Sequence, residues 1–251
     1  MTAVPASHAA PTSPPDGPRL ETPRAAGIAG LAFAALFITS LVLLRNQPSR
    51  DSTAAEIRTF YLREGGGTVA LVGVYLVPFA GIAFLWFIAV VRNLIGDRED
   101  RFFATVFLGS GLLFVAMLFI AAGVGGALLT AVKARHDPVP SADTVVTIRA
   151  LGFGFLFIYA IRMAAVFMIV VSTIGVRLGV LPRWLVATGY VAALVLIFNV
   201  SYLETLVLVF PAWVAAVSVV ILKAGRSDDR VDAVRGDEQR DARDGGTSAS
   251  S

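Results

Sequence analysis

The chain has 251 residues, 56% of them hydrophobic and 16% charged, with a formal net charge of +3. It has no cysteine, which excludes disulfides, thiolate metal sites, iron–sulfur clusters and covalent haem attachment. A charge this small gives no argument for a nucleic-acid partner, and an apolar content this high points away from an ordinary soluble domain.

The charges collect at the two ends and in a few short segments, leaving long uncharged runs between them. That pattern predicts an all-α fold, a polytopic transmembrane helical bundle of about six spans with the lipid bilayer as its surroundings. Residues 1–24 carry Pro5, Pro11, Pro14, Pro15, Pro18 and Pro23 among Ala, Ser and Thr. Such a segment buries too little apolar surface to offset its ordering entropy, so it is expected to be a disordered tail. The membrane domain is expected over 25–223.

The first span is expected at 25–44, after Arg19 and Arg24. A secretory signal also places positive charge before an apolar core, but that core is about 7–15 residues long and ends in small residues. This run has 20 residues and ends in Leu43-Leu44-Arg45, so it reads as an uncleaved anchor. The connection Arg45–Gly67 follows. Thr53 and Glu56 have the spacing of a capping box. Ala54, Ile57, Phe60, Tyr61 and Glu64 then fall at helical spacing, as in a short amphipathic helix on the membrane surface or an ordinary capped loop helix. Gly65, Gly66 and Gly67 are expected to break the chain there. No Lys-Ser/Thr follows them, so a phosphate cradle is disfavoured.

The second span is expected at 68–91, bent at Pro78. The third, at 103–132, contains Gly109, Gly111, Gly123, Gly125 and Gly126. Ala122 and Gly126 have the small-xxx-small spacing that lets helices approach closely. Close packing is the favoured reading, a gate or pore the alternative. Between these spans lies the charged turn Asp97, Arg98, Glu99, Asp100 and Arg101. It reads as a solvated turn with an Asp97–Arg101 pair one helical turn apart. Its rival role is holding a divalent cation.

A loop with Pro138 and Pro140 precedes the fourth span, 145–175, which carries Arg149 and Arg162. Gly179 and Pro182 mark a turn before the fifth span, 183–200. Ser201 and Glu204 again fit a capping box, and the sixth span, 203–222, is interrupted by Pro211. Residues 224–251 alternate acids and arginines with Gly and Ser, as a disordered mixed-charge tail does.

Lys and Arg set the expected orientation. The ends together with the second and fourth connections carry 13 of them, and the other three connections carry 6. Both termini are therefore expected in the cytoplasm, with the protein in the cell membrane.

Arg162 is the sharpest candidate for chemistry. It has apolar neighbours on both sides and lies roughly 20 Å along a helix from Arg149. A charge at the bilayer centre costs at least about 2.5–3.5 kcal/mol, so Arg162 should face a cavity, an anionic ligand or a partner, or else snorkel. Glu204 is the only acid between Asp143 and Asp228. It reads as a cap first and a relay carboxylate second, and pairing with Arg149 is an open option. Tyr159, Asn199 and Ser201 add hydrogen-bonding groups nearby. No metal site or cofactor is expected. The two histidines, His8 and His136, fall outside the spans, which removes paired haem ligands and any Ser-His-Asp set.

Tyr75–Phe87 and Gly96–Gly111 together resemble an uncharacterised family of small multi-pass membrane proteins from high-GC Gram-positive bacteria. The resemblance covers roughly residues 75–120. It implies a bacterial inner-membrane location and carries over no functional residue. The leading functional expectation is a non-enzymatic protein that assembles with other membrane proteins or with a second copy of itself. The rivals are a small transporter or channel-like protein drawing an anionic solute to Arg162, and a lipid-modifying enzyme acting through Asp97–Arg101.

Overall fold

The computed structural model describes residues 22–45, 52–95, 101–134, 142–198 and 204–224. Every regular element among them is helical, so the chain is an all-α membrane bundle. Five helices are long and apolar enough to cross a bilayer: Arg24–Leu44, Gly65–Arg92, Phe102–Ala131, Asp143–Leu178 and Leu206–Ala224. A sixth apolar helix, Arg183–Phe198, has 16 residues and extends about 24 Å. The expected tails, 1–24 apart from its last three residues and 225–251, lie outside the described residues.

The first helix, Thr22–Leu44, begins slightly before its expected start. Pro23 sits in its first turn, where a missing N–H costs nothing. Ala26, Ala29, Phe33, Phe37 and Ser40 form one buried stripe at helical spacing.

The second helix corrects two expectations. It is one rod from Ala54 to Ile95, built of Ala54–Thr59, the π-helical Phe60–Glu64, Gly65–Leu71, the π-helical Val72–Leu76 and Val77–Ile95. The capped segment is therefore the head of the spanning helix rather than a separate surface helix. The glycine triplet does not break it. Gly65 and Gly66 are buried, and the Phe60 ring fills the space a Gly65 Cβ would need. Packing overrides the weak helix propensity of glycine. Pro78 is accommodated by the π turn just before it, where the Val77 N–H donates to the Val72 carbonyl five residues back.

The third helix, Arg101–Ala134, runs 34 residues without interruption. Its Gly111 lets Ile88 and Phe167 approach closely, as Gly81 on the second helix does for Phe119. The fourth helix joins Ala142–Phe153, the π-helical Gly154–Ala160 and Ile161–Leu178. It stops at Gly179, whose φ of 67° is the left-handed cap. The Pro182 carbonyl then accepts the Leu185 N–H at 3.0 Å and opens the fifth helix, Arg183–Phe198. The sixth helix begins with a 3-10 turn, Glu204–Leu208, and continues to Ala224. Pro211 does not interrupt it. The residue falls in the first α-helical turn, where its N–H would have no partner anyway.

Phenylalanines fill the bundle axis. Phe84 of the second helix touches Phe33 of the first, Phe114 of the third, Phe167 of the fourth and Phe210 of the sixth, with ring centroids 4.6–5.6 Å apart. All five are buried. Buried hydroxyls along the spans mostly bond their own helix: Ser40 donates to the Leu36 carbonyl and Ser218 to the Val214 carbonyl, both at 2.8 Å.

Candidate functional site

Basic residues locate one face of the bilayer. Arg24, Arg92, Arg101, Arg177, Arg183 and Lys223 lie at the alternating ends that six antiparallel helices bring together. Arg177 stacks over the Phe103 ring, 4.3 Å from its centroid, and ties the fourth helix to the third at this level. Tyr75 and Tyr159 mark the far side. Both are exposed and stand about 25–27 Å along their helices from Arg92 and Arg177, as interfacial aromatics do.

The apolar layer is about 30 Å thick. Helices two, three and four are much longer, roughly 63, 51 and 55 Å. A tilt of 40° would use only about 39 Å of each. Their far ends therefore project beyond the layer as a three-helix crown. Two close approaches sit where it leaves the bilayer: Gly73 lies against the Ala122 carbonyl, and Gly152 against Val124 and the Ala121 carbonyl. Both π-helical turns that precede long spanning segments, Val72–Leu76 and Gly154–Ala160, fall at the same level.

The crown has a core of its own, in which Tyr61, Val69, Leu128, Leu129 and Val145 are buried together with Ile148 against them. Burial raises the Tyr61 hydroxyl above its usual 10.0, and the positive charge of Arg149 opposes the rise. Arg149 thus belongs to the crown, beside Tyr61, about 42 Å along its helix from Arg177. The crown's outer surface is partly apolar: Leu62, Val146 and Leu151 are 48%, 51% and 53% exposed. On the third helix Ala116, Ile120, Gly123, Ala127 and Thr130 form an exposed stripe at helical spacing. A Cβ on Gly123 would meet nothing within 4 Å. The exposed small-xxx-small pair is therefore Gly123–Ala127, whereas Ala122 packs against the core.

Arg162 lies within the layer and is partly exposed. Its guanidinium turns back along the helix, and Nη1 donates to the Ile158 carbonyl at 2.9 Å. The group thereby reaches the level of Tyr159, on the same outward face. Glu204 opens the sixth helix about 28 Å from Lys223, level with Ile158 and well short of Arg149. The Glu204 side chain, Asn199 and Ser201 lie outside the described residues. So do Asp97, Arg98, Glu99, Asp100 and the Arg101 side chain. Among the described residues no three His, Cys, Asp or Glu come together as metal ligands.

Two polar features escaped the sequence reading. Thr173 Oγ1 and Tyr190 Oη are 2.8 Å apart and join the fourth and fifth helices inside the layer. Ser172 beside it is fully buried, and its hydroxyl is without a partner among the described residues. It packs against Gly189, where Trp213 also donates its indole N–H to the Leu185 carbonyl at 3.2 Å. Scattered single hydroxyls in apolar runs gave no signal of this meeting point. Comparison with family models, curated proteins and solved structures found no match.

Proposed function

We propose that the protein is a non-enzymatic membrane component that assembles with a partner through its projecting crown. The observation that carries this reading is the exposure of Leu62 and Val146, which stand about 45–47 Å along their helices from Arg92 and Arg177 and so beyond the level of the apolar layer. Large apolar side chains held open to water are a mark of interaction surfaces. The open Gly123–Ala127 pair gives a second helix the close approach it needs at the same end. The partner is another membrane protein or a second copy of this chain. The Lys and Arg distribution supports a cytoplasmic basic end, with the crown outside the cytoplasm. The resemblance over residues 75–120 supports a bacterial inner membrane.

The solute-transport reading has weaker support. The bundle axis is filled by Phe33, Phe84, Phe114, Phe167 and Phe210, and Arg162 is on an outward edge against its own backbone. The lipid-modifying reading rests on residues 97–101, and nothing in the described residues adds to it.

Mild-detergent extraction followed by mass measurement tests the assembly reading. A defined complex is expected, and Leu62→Asp with Val146→Asp should dissociate it while leaving a folded monomer. A strictly monomeric wild-type particle without co-purifying protein would overturn it.

A further inference from the structure

We infer that Arg162 and Tyr159 form a binding site for the phosphate of a bilayer lipid in the leaflet on the crown side. Arg162 Cα stands about 22 Å from Arg177 along the helix, inside the apolar layer. The side chain does not remain at that depth. Its bond to the Ile158 carbonyl carries the guanidinium one turn toward the crown. Ile158 is about 28 Å from Arg177, where acyl chains give way to headgroups.

A guanidinium has five N–H donors in a planar fork, and the bond to Ile158 uses one of them. Among the described residues no carboxylate pairs with it. The remaining donors suit a phosphate, which a guanidinium grips with two parallel bonds. Tyr159 is 56% exposed and Ile158 37% exposed on the same face. Tyr159 brings a phenol to the level of the lipid phosphate, and Ile158 offers apolar surface to the first acyl carbons.

The setting selects lipid over free phosphate. The face looks outward from the bundle, and the five packed rings around Phe84 close the axis behind it. An ion arriving from water would meet headgroups first. The bond to Ile158 also holds the guanidinium in place before a ligand arrives, so less side-chain entropy is lost on binding.

Native mass spectrometry of the full-length protein titrated with phosphatidylglycerol tests the site. Wild type should hold one phosphatidylglycerol more tightly than Arg162→Gln, by at least tenfold, with Arg162→Lys intermediate because an ammonium lacks the planar fork. Arg149→Gln, in the crown, should bind as wild type does. Equal binding by wild type and Arg162→Gln would overturn the inference. Displacement of the lipid by millimolar inorganic phosphate would assign the site to the free ion and overturn the lipid assignment. Should Arg162→Gln fail to fold, a photoreactive benzophenone side chain at Tyr159 in the wild-type background answers the question. Crosslinks to phospholipid support the site, and crosslinks confined to peptides of this chain refute it. Failure here leaves the crown assembly reading standing, because the two use different surfaces.

Discussion

The rings of Phe33 and Phe84 lie 4.6 Å apart, centroid to centroid, and both side chains are fully buried. The Phe84 ring touches rings of the first, third, fourth and sixth helices, as the Phe210 ring of the sixth touches those of the other four. Removal of the Phe84 ring opens a cavity that the neighbouring helices cannot close together. Phe84→Ala should cost about 3–5 kcal/mol of stability, as large-to-small aromatic changes in packed cores do. Phe198→Ala, at a side chain 74% exposed, should change stability by roughly 0.5 kcal/mol or less. Denaturant unfolding in micelles measures both, and equal effects would deny the rings their role.

Gly189 and Ser172 meet where the fifth helix packs on the fourth. A Cβ at Gly189 would overlap the Ser172 hydroxyl and crowd the Trp213 indole. Gly189→Ala should therefore destabilise, and Ser172→Gly should recover part of the loss by vacating the contested space. The double-mutant cycle should show a coupling of about 0.5–3 kcal/mol. Strict additivity would place the cost of Gly189→Ala elsewhere.

Five of the six expected spans were legible because a bilayer imposes one length and one polarity on each crossing; the fifth, expected at 183–200, is a helix of 16 residues. Runs such as 25–44 carry that signal without help from their neighbours. Packing between helices has no such local mark. Gly65 looks like a breaker until the Phe60 ring occupies its missing side chain, and Pro211 looks like an interruption until the helix starts just before it. The convergence on Phe84 depends on the relative rotation of five helices, which no single run encodes. Arg162 was conspicuous as the one charge deep in an apolar run. The turn of its side chain toward Ile158 was visible only in three dimensions.

Thr53 and Glu56 bond reciprocally at the head of the second helix. The Thr53 N–H donates to Glu56 Oε2 at 2.8 Å, and the Glu56 N–H donates to Thr53 Oγ1 at 3.3 Å. This is the capping box expected from the spacing. Thr53→Ala should lose about 1 kcal/mol. The loss should stay local, appearing as faster amide hydrogen exchange over residues 54–59 with unchanged exchange around Phe84. A global change would mean that the crown and the spans unfold as one unit.

Tyr61 gives the crown a pH response. Burial holds its hydroxyl protonated above the usual 10.0, against the pull of the Arg149 charge. The folded state keeps this proton when the unfolded chain has begun to release its own. The associated stability is fully present below pH 10.0 and is lost as pH rises from there through the folded-state value. The melting temperature of the wild type should therefore fall more steeply above this point than that of Tyr61→Phe, which has no proton to lose. Arg149→Gln removes the charge that favours the phenolate. It should push the hydroxyl further up and steepen the fall. Tyrosinate absorbance followed through a pH titration gives an independent check: the Tyr61→Phe difference spectrum should isolate a phenol that ionises late. If the tyrosine lost from the spectrum instead titrates at the usual value, Tyr61 is open to water and the crown does not close over it.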